Sequence, residues 1–222
     1  MSVLNITAKA ATTLDQLKSH ALVVLVPERK SLGARLRELD KFLGGSLSRT
    51  IANRDFTPTC GATTWLSGAD QLDRVLLVGC GDLSQRAPAS DKKIAEGLSR
   101  ALMNCAAKDA IIWTEGLSQK IKQPEQLLEQ IALQLTLAHY QYSQTLNHRK
   151  KPPRELRRVS VTPTNLCTTA SAKRALDAGS AIGHGANLTR ELVNLPGNIC
   201  TPRYLAAEAR KLAKRHSELS VS

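Results

Sequence analysis

Two short runs of aliphatic residues constrain the fold of this chain more than any other feature of its sequence. Ala21–Val26 and Arg74–Gly79 are continuous and rich in Val and Leu. This pattern is typical of strands that are buried on both faces of a sheet. Such strands need helices on both sides, so the two runs predict an α/β domain whose sheet lies between helical layers.

The segments around these runs alternate between strand and helix patterns. Further strands are predicted at residues 3–8, 57–66, 110–113 and 156–161. Helices are predicted at 32–43, with a continuation after Ser46, at 91–106, and from Pro124 to about Tyr142. Strands and helices that alternate in this way favour a mostly parallel or mixed sheet, and we assign it to residues 1–163.

The pattern changes in the last part of the chain. Thr168 to Val193 is rich in alanine and predicts one long helix, and Pro202 begins another helix that ends near His216. No strand pattern follows these helices. We therefore predict a helical linker over residues 164–222 rather than a second core.

Composition narrows the possible locations of the protein. The longest apolar run, Ala21–Val26, is far shorter than the ~20 residues needed to cross a bilayer, and the N-terminus lacks a secretory signal pattern. The five cysteines are widely spaced and form no Cys-x-x-Cys pair, which argues against a disulfide framework and a zinc knuckle. We expect a cytoplasmic protein with reduced cysteines and no membrane partner.

The formal net charge of +12 is unusually high, and most of the excess positive charge lies after residue 148. Basic residues surround a Pro-Pro break, namely Arg149, Lys150, Lys151, Arg154, Arg157 and Arg158. Such a cluster could bind the phosphate backbone of DNA. No aromatic residue is interleaved for base stacking and no recognition helix is apparent, so a solvated loop is the alternative.

A Gly-x-Gly turn, Gly79-Cys80-Gly81, ends the second aliphatic run. In an α/β fold such a turn can present backbone amides to a phosphate. The third glycine of the dinucleotide fingerprint is missing, so a plain tight turn is the competing interpretation.

Motifs for catalysis are absent from the sequence. The five histidines are scattered without a His-Glu-x-x-His pair, and no Gly-x-Ser-x-Gly elbow surrounds any serine. No two carboxylates share a predicted helix face in the manner of a dimetal site. We therefore expect neither a catalytic nor a metal-binding residue in this chain.

The most specific motif lies between the two C-terminal helices. It comprises Arg190-Glu191-Leu192, Asn194, Pro196, Asn198, Thr201-Pro202 and Tyr204-Leu205-Ala206. In order and spacing it resembles the segment that joins the two domains of M17 leucyl aminopeptidases, with Gly197 in place of the family's second proline. A residue before proline is disfavoured in a helix, whereas Thr-Pro is a typical helix start, so the motif predicts a hinge between two helices.

The resemblance implies an N-terminal α/β domain that is similar in topology to macro domains. The hinge would comprise Arg190, Asn194, Pro196, Asn198 and Pro202. By analogy with macro domains, the Gly79–Gly81 turn could bind a nucleotide or ADP-ribose.

For the whole enzyme, the resemblance implies removal of N-terminal residues from peptides in a cytoplasmic homohexamer. Two divalent metals, manganese or zinc, would be held by a C-terminal peptidase domain beyond Ser222. This chain would then serve oligomer assembly and access to the active site, and it would need no cofactor of its own.

Overall fold

The fold is taken from a computed structural model that describes residues 4–10, 13–69, 72–117, 121–142, 144–145, 156–163 and 166–221. The chain divides into two compact units. The first combines residues 1–139 with 151–184, and the second combines residues 140–150 with 185–222. The division at residue 163 that we expected from the sequence stays a prediction.

The first unit contains one six-stranded sheet with the strand order β1-β6-β5-β2-β4-β3. The strands are β1 (Asn5–Ala8), β2 (Leu22–Val26), β3 (Thr63–Ser67), β4 (Arg74–Gly79), β5 (Asp109–Trp113) and β6 (Arg158–Thr162). All neighbours pair in parallel except β3, which runs antiparallel to β4. The predicted mixed α/β sheet is therefore confirmed.

Six α-helices are described: α1 (Ala34–Phe42), α2 (Ser46–Ala52), α3 (Pro88–Met103), α4 (Pro124–His139), α5 (Thr169–Asn194) and α6 (Pro202–Arg215). Helix α3 begins three residues earlier than predicted, because Pro88 occupies its first turn and the Ser90 hydroxyl accepts a hydrogen bond from the Ala87 amide. Helix α4 ends at His139 rather than near Tyr142. The predicted third strand loses residues 57–62 to a loop in which Gly61 has a φ of +80°.

Two apolar cores cover the two faces of the sheet. Val23 and Leu25 of β2 point into the core formed with α3, α4 and the start of α5. Leu22 and Val24 point into the opposite core, which contains side chains of α1 and α2. The continuous aliphatic runs are thus buried on both faces, as their composition predicted.

Helices α4 and α5 approach each other through glycine. A Cβ atom at Gly179 would lie 2.1 Å from the carbonyl oxygen of Glu129, and one at Gly183 would lie 2.7 Å from the Thr136 Cβ atom. No other residue type leaves enough space for this approach, so the two glycines set the distance between the helices.

A buried ion pair fixes the start of α3. The Arg86 Nε and Nη2 atoms each lie 2.6 Å from a carboxylate oxygen of Asp91, and the two side chains are only 10% and 2% exposed. Arg86 also donates to the carbonyl oxygens of Lys122 and Gln123, just before α4. One guanidinium group therefore connects the loop after β4 to two helices.

At the amino end of β5, the Asp109 carboxylate accepts four hydrogen bonds. The donors are the His20 amide (3.0 Å), the His20 Nδ1 atom (2.9 Å), the Ser19 hydroxyl (3.1 Å) and the Arg158 Nη2 atom (3.1 Å). Partial burial alone would raise the pKa of Asp109, but these bonds outweigh it and lower the pKa to about 2.

The Asp109→Asn variant should be less stable than the wild type at pH 7 by about 1 kcal/mol, a figure reduced because solvent screens the site. A depressed carboxyl pKa stabilises the fold above the unfolded value near 4, and this stabilisation is lost as the pH falls to about 2. Urea unfolding of both proteins from pH 7 to pH 2.5 measures the difference. If the difference in unfolding free energy between the two proteins does not become smaller below pH 4, the lowered pKa of Asp109 is contradicted.

Candidate functional site

The carboxyl ends of β2 and β4 form the place where an α/β sheet of this kind offers a ligand site. The chain leaves β2 toward α1 on one face of the sheet, and it leaves β4 toward α3 on the opposite face. Adjacent strands with such diverging connections open a crevice at their carboxyl ends. Val26 and Gly79 are the last residues of these two strands.

The crevice is filled by the loop Pro58–Gly61 of the same chain. All three amides of the Gly-x-Gly turn donate to backbone carbonyls, Gly79 to Ala62 (2.8 Å), Cys80 to Val26 (2.9 Å) and Gly81 to Pro58 (2.8 Å). None of the three is left for a phosphate group. The hypothesis of a nucleotide or ADP-ribose site at this turn therefore receives no support, and the tight-turn interpretation agrees with the structure.

The Cys80 thiol follows β4 and is buried. Burial raises the pKa of Cys80, and the nearby Cys60 and Asp91 raise it further. The Cys60 thiol donates to the Cys80 carbonyl oxygen at 3.2 Å. Because only the thiolate reacts, we assign a packing role to Cys80.

A cavity of about 270 Å³ lies beside the filled crevice. It is bounded by residues 26–33, which follow β2, and by parts of α1, α2 and Pro58. Its charged side chains, Glu28, Arg29 and Lys30, are exposed at the rim. The sequence analysis did not find this cavity, because its walls come from segments that have no shared motif.

The buried carboxylate of Glu115, at the carboxyl end of the sheet, is already paired with an arginine. Glu115 follows β5 with a side chain only 3% exposed, and its Oε2 atom accepts a hydrogen bond from the Arg35 Nε atom at 2.7 Å. This hydrogen bond is the main reason why the pKa of Arg35 is raised. Glu115 is therefore held as a structural ion pair and is not poised as a free acid or base.

The predicted hinge lies between α5 and α6 in the second unit. Arg190 and Asn194 belong to the last turns of α5, and Pro202 is the first residue of α6. Between them, the Pro196 carbonyl accepts the amides of Ile199 and Cys200, both at 2.9 Å, and Asn198 is exposed in this turn. The predicted helix boundaries are confirmed, whereas a hinge role stays a prediction.

Side chains from both predicted helix ends stabilise this segment. The Thr201 hydroxyl accepts the Tyr204 amide at 3.3 Å and caps α6, as the Thr-Pro pair predicted. The Tyr140 hydroxyl donates to the Glu191 Oε2 atom at 2.8 Å and accepts a hydrogen bond from the Asn194 amide group at 3.2 Å. Tyr140 was missed by the sequence analysis because it lies far from the motif along the chain.

Most of the predicted DNA contacts cannot be placed. Arg149, Lys150, Lys151 and Arg154 lie outside the described residues. The other two residues of the cluster, Arg157 and Arg158, are exposed, and Arg158 forms an ion pair with Asp109 at 3.1 Å. The hypothesis of DNA binding therefore receives no support from the described part of the cluster.

Comparison with protein families supplies the deciding observation. A family model described as "Cytosol aminopeptidase family, N-terminal domain" matches residues 4–148. The chain belongs to the cytosol aminopeptidase family. Its relationship to the M17 aminopeptidases, which the motif around Pro196 indicated, is confirmed by this match.

Curated cytosol aminopeptidases resemble almost the whole chain. The "probable cytosol aminopeptidase" of Alkalilimnicola ehrlichii is 31% identical over 94% of this chain and 42% of its own length. The protein of the same name from Nitrosococcus oceani is 32% identical over 93% of this chain and 42% of its own length. The chain thus spans about two fifths of the length of these relatives.

Solved structures support the fold of this cytosol aminopeptidase segment. A tomato leucine aminopeptidase mutant superposes with a TM-score of 0.78 and 24% identity, over 98% of this chain and 43% of that chain. The bottromycin maturation enzyme BotP superposes with a TM-score of 0.63 and 22% identity, over 89% of this chain and 37% of that chain. No described helix is both long and apolar enough to span a membrane.

Proposed function

We propose that this chain is the non-catalytic N-terminal part of a leucyl aminopeptidase, and that it serves oligomer assembly and access to the active site. The observation that carries the proposal is the match of residues 4–148 to the N-terminal domain of the cytosol aminopeptidase family. The parent enzyme removes N-terminal amino acids from peptides in the cytoplasm. It works as a homohexamer whose catalysis belongs to a C-terminal peptidase domain.

The donor atoms of the described residues do not fit the two divalent metals of the family. Among the described residues, no three His, Cys, Asp or Glu side chains lie close enough together to hold a metal ion. The buried carboxylates of Asp91 and Glu115 are both engaged by arginine. We therefore assign the manganese or zinc ions to the C-terminal domain and derive no catalytic step from this chain.

The segment between α5 and α6 is proposed as the hinge that leads to the peptidase domain. Asn194, Pro196 and Pro202 match the family motif in order and spacing. The two helices are separated by a short turn, and each has its own terminal hydrogen bonds. Such a segment can change the direction of the chain without disturbing the helices that it joins.

The proposal predicts that the purified chain does not hydrolyse leucine p-nitroanilide, even with added manganese or zinc. The expected rate equals the buffer blank, because the described residues include no set of ligands for two metals. A full-length leucine aminopeptidase, assayed under the same conditions, controls for the substrate and the metal. Metal-dependent turnover that co-elutes with the chain and increases with its concentration would overturn the proposal.

A further inference from the structure

The last turns of α5 contribute no side chain to an apolar core. The buried residues of this helix all lie before residue 184, namely Ala172, Ala175, Leu176, Gly179 and Gly183. Every residue from 184 to 194 is exposed or half-buried, and the next buried residue is Leu195, directly after the helix. Segments with few buried apolar contacts open at a lower free energy than a core does. The end of α5 therefore depends on polar contacts to stay in place.

Tyr140, the residue that follows α4, supplies two such contacts through one hydroxyl group. The hydroxyl donates to the Glu191 Oε2 atom at 2.8 Å and accepts from the Asn194 Nδ2 atom at 3.2 Å. Glu191 and Asn194 are three residues apart, so they lie on the same side of the helix. We call these three side chains the Tyr140 clasp. All of them belong to the second compact unit.

The Glu191 carboxylate depends strongly on the Tyr140 hydroxyl. Its Oε1 atom is buried and has no hydrogen-bond partner among the described residues. Burial and the neighbouring Glu191 raise the pKa of Tyr140, against the bond from Asn194, so the hydroxyl keeps its proton and remains a donor. A hydrogen bond to an ionised acceptor is about twice as strong as one between neutral groups. Loss of the hydroxyl therefore favours an opened end of α5, in which water reaches the carboxylate.

We propose that the Tyr140 clasp holds the proposed hinge between α5 and α6 in one conformation, and that residues 190–201 open together when the clasp is released. The two clasped residues of α5 lie directly before the turn in which the Pro196 carbonyl accepts the amides of Ile199 and Cys200. Movement of the helix end would therefore be transmitted to this turn. The consequence for a hinge rests on the proposed function, but the opening is a property of the chain itself.

Hydrogen exchange of the full chain, followed residue by residue at pH 7, tests the proposal. Exchange of a protected amide reports how often its segment opens. In the Tyr140→Phe variant we expect the amides of residues 190–201 to exchange about tenfold faster than in the wild type, because a charge-assisted hydrogen bond is lost. The amides of residues 172–183, which lie beside the core, should change less than about twofold.

Tyr204→Phe is the matched control. Tyr204 lies near the start of α6, on the other side of the same turn, and its hydroxyl forms no hydrogen bond with a described residue. This variant should change the exchange of residues 190–201 by less than about twofold, since no bond of the clasp is lost.

A double-mutant cycle with Glu191→Ala separates the clasp from other effects of the substitutions. Each single variant should accelerate exchange about tenfold, and the double variant should show about the same factor, because both changes remove one shared bond. If the double variant exchanges about a hundredfold faster, the two residues act separately and the proposal is wrong.

Two other results would also overturn the proposal. In the first, Tyr140→Phe leaves the exchange of residues 190–201 within about twofold of the wild type. In the second, residues 172–183 accelerate by the same factor, so the hydroxyl stabilises the whole fold instead of the helix end. If Tyr140→Phe fails to fold, Glu191→Ala and Asn194→Ala are compared in the same way, and the proposal requires both to accelerate exchange locally. The hydrolysis assay of the chain has a separate readout, so failure of the proposed function and failure of the clasp are distinguishable.

Discussion

Replacing Asp91 with asparagine is expected to lower the free energy of unfolding by about 3 kcal/mol, the largest single effect that we predict. The substitution preserves the shape of the side chain but removes its charge. Arg86 would then be a guanidinium that is only 10% exposed and has no counter-ion. Breaking a buried ion pair from one side costs about 3–5 kcal/mol in other proteins, mostly because the remaining charge stays desolvated.

Urea unfolding at pH 7 measures this effect, and Asp177→Asn is the matched control. Asp177 forms an ion pair of 2.8 Å with Lys173 on the surface of α5, where both side chains are more than half exposed. Exposed pairs of this spacing contribute only about 0.3–0.5 kcal/mol. If the two variants lose similar stability, the Arg86–Asp91 pair is better solvated than the structure indicates.

Alanine at Gly179 should destabilise the protein by about 2 kcal/mol. The new Cβ atom would lie 2.1 Å from the Glu129 carbonyl oxygen and 3.0 Å from the Leu133 amide nitrogen. Both are backbone atoms of α4, so the contact is relieved only by moving one helix away from the other. Overpacking of this kind costs about 1–3 kcal/mol, which exceeds the gain of about 1 kcal/mol in helix propensity.

Gly185→Ala is the control for this prediction, because Gly185 lies in the same helix and a Cβ atom there meets nothing within 4 Å. Without a clash, only the helix propensity changes, so this variant should be as stable as the wild type or more stable by up to about 1 kcal/mol. If Gly179→Ala lowers the free energy of unfolding and Gly185→Ala raises it, the loss at Gly179 comes from packing and not from helix propensity. Equal effects would contradict a close approach of α4 and α5 at Gly179.

The sequence was sufficient to predict the elements whose residues repeat regularly. Arg74–Gly79 was predicted as a strand with the bounds of β4, and the start of α4 at Pro124 was correct. These predictions succeeded because burial on both faces and helical amphipathicity leave periodic patterns in consecutive residues. The antiparallel direction of β3 could not be predicted in this way, since strand pairing depends on residues that are distant along the chain.

Local sequence patterns likewise revealed one candidate site and missed those that depend on contacts between separate elements. The segment around Pro196 was found because proline and an N-cap threonine have strong local preferences that act over a few residues. Tyr140, Arg86 and the cavity after β2 were missed because each depends on contacts between separate elements. The phosphate interpretation of Gly79–Gly81 received no support for the same reason, as two of its amides are bonded to the segment before β3 and the third is bonded to Val26 of β2.

The loop Pro58–Gly61 occupies the crevice at the carboxyl ends of β2 and β4, where a ligand would otherwise bind. It is retained by the bonds from Gly81 to Pro58, from Gly61 to Gly79 and from Cys60 to Cys80. Each of these bonds contributes about 1 kcal/mol, so a competing molecule would have to offset roughly 3 kcal/mol before it gained any affinity. This corresponds to a penalty of about a hundredfold in its dissociation constant. Small metabolites are thereby kept out of the crevice between β2 and β4 by the domain's own backbone.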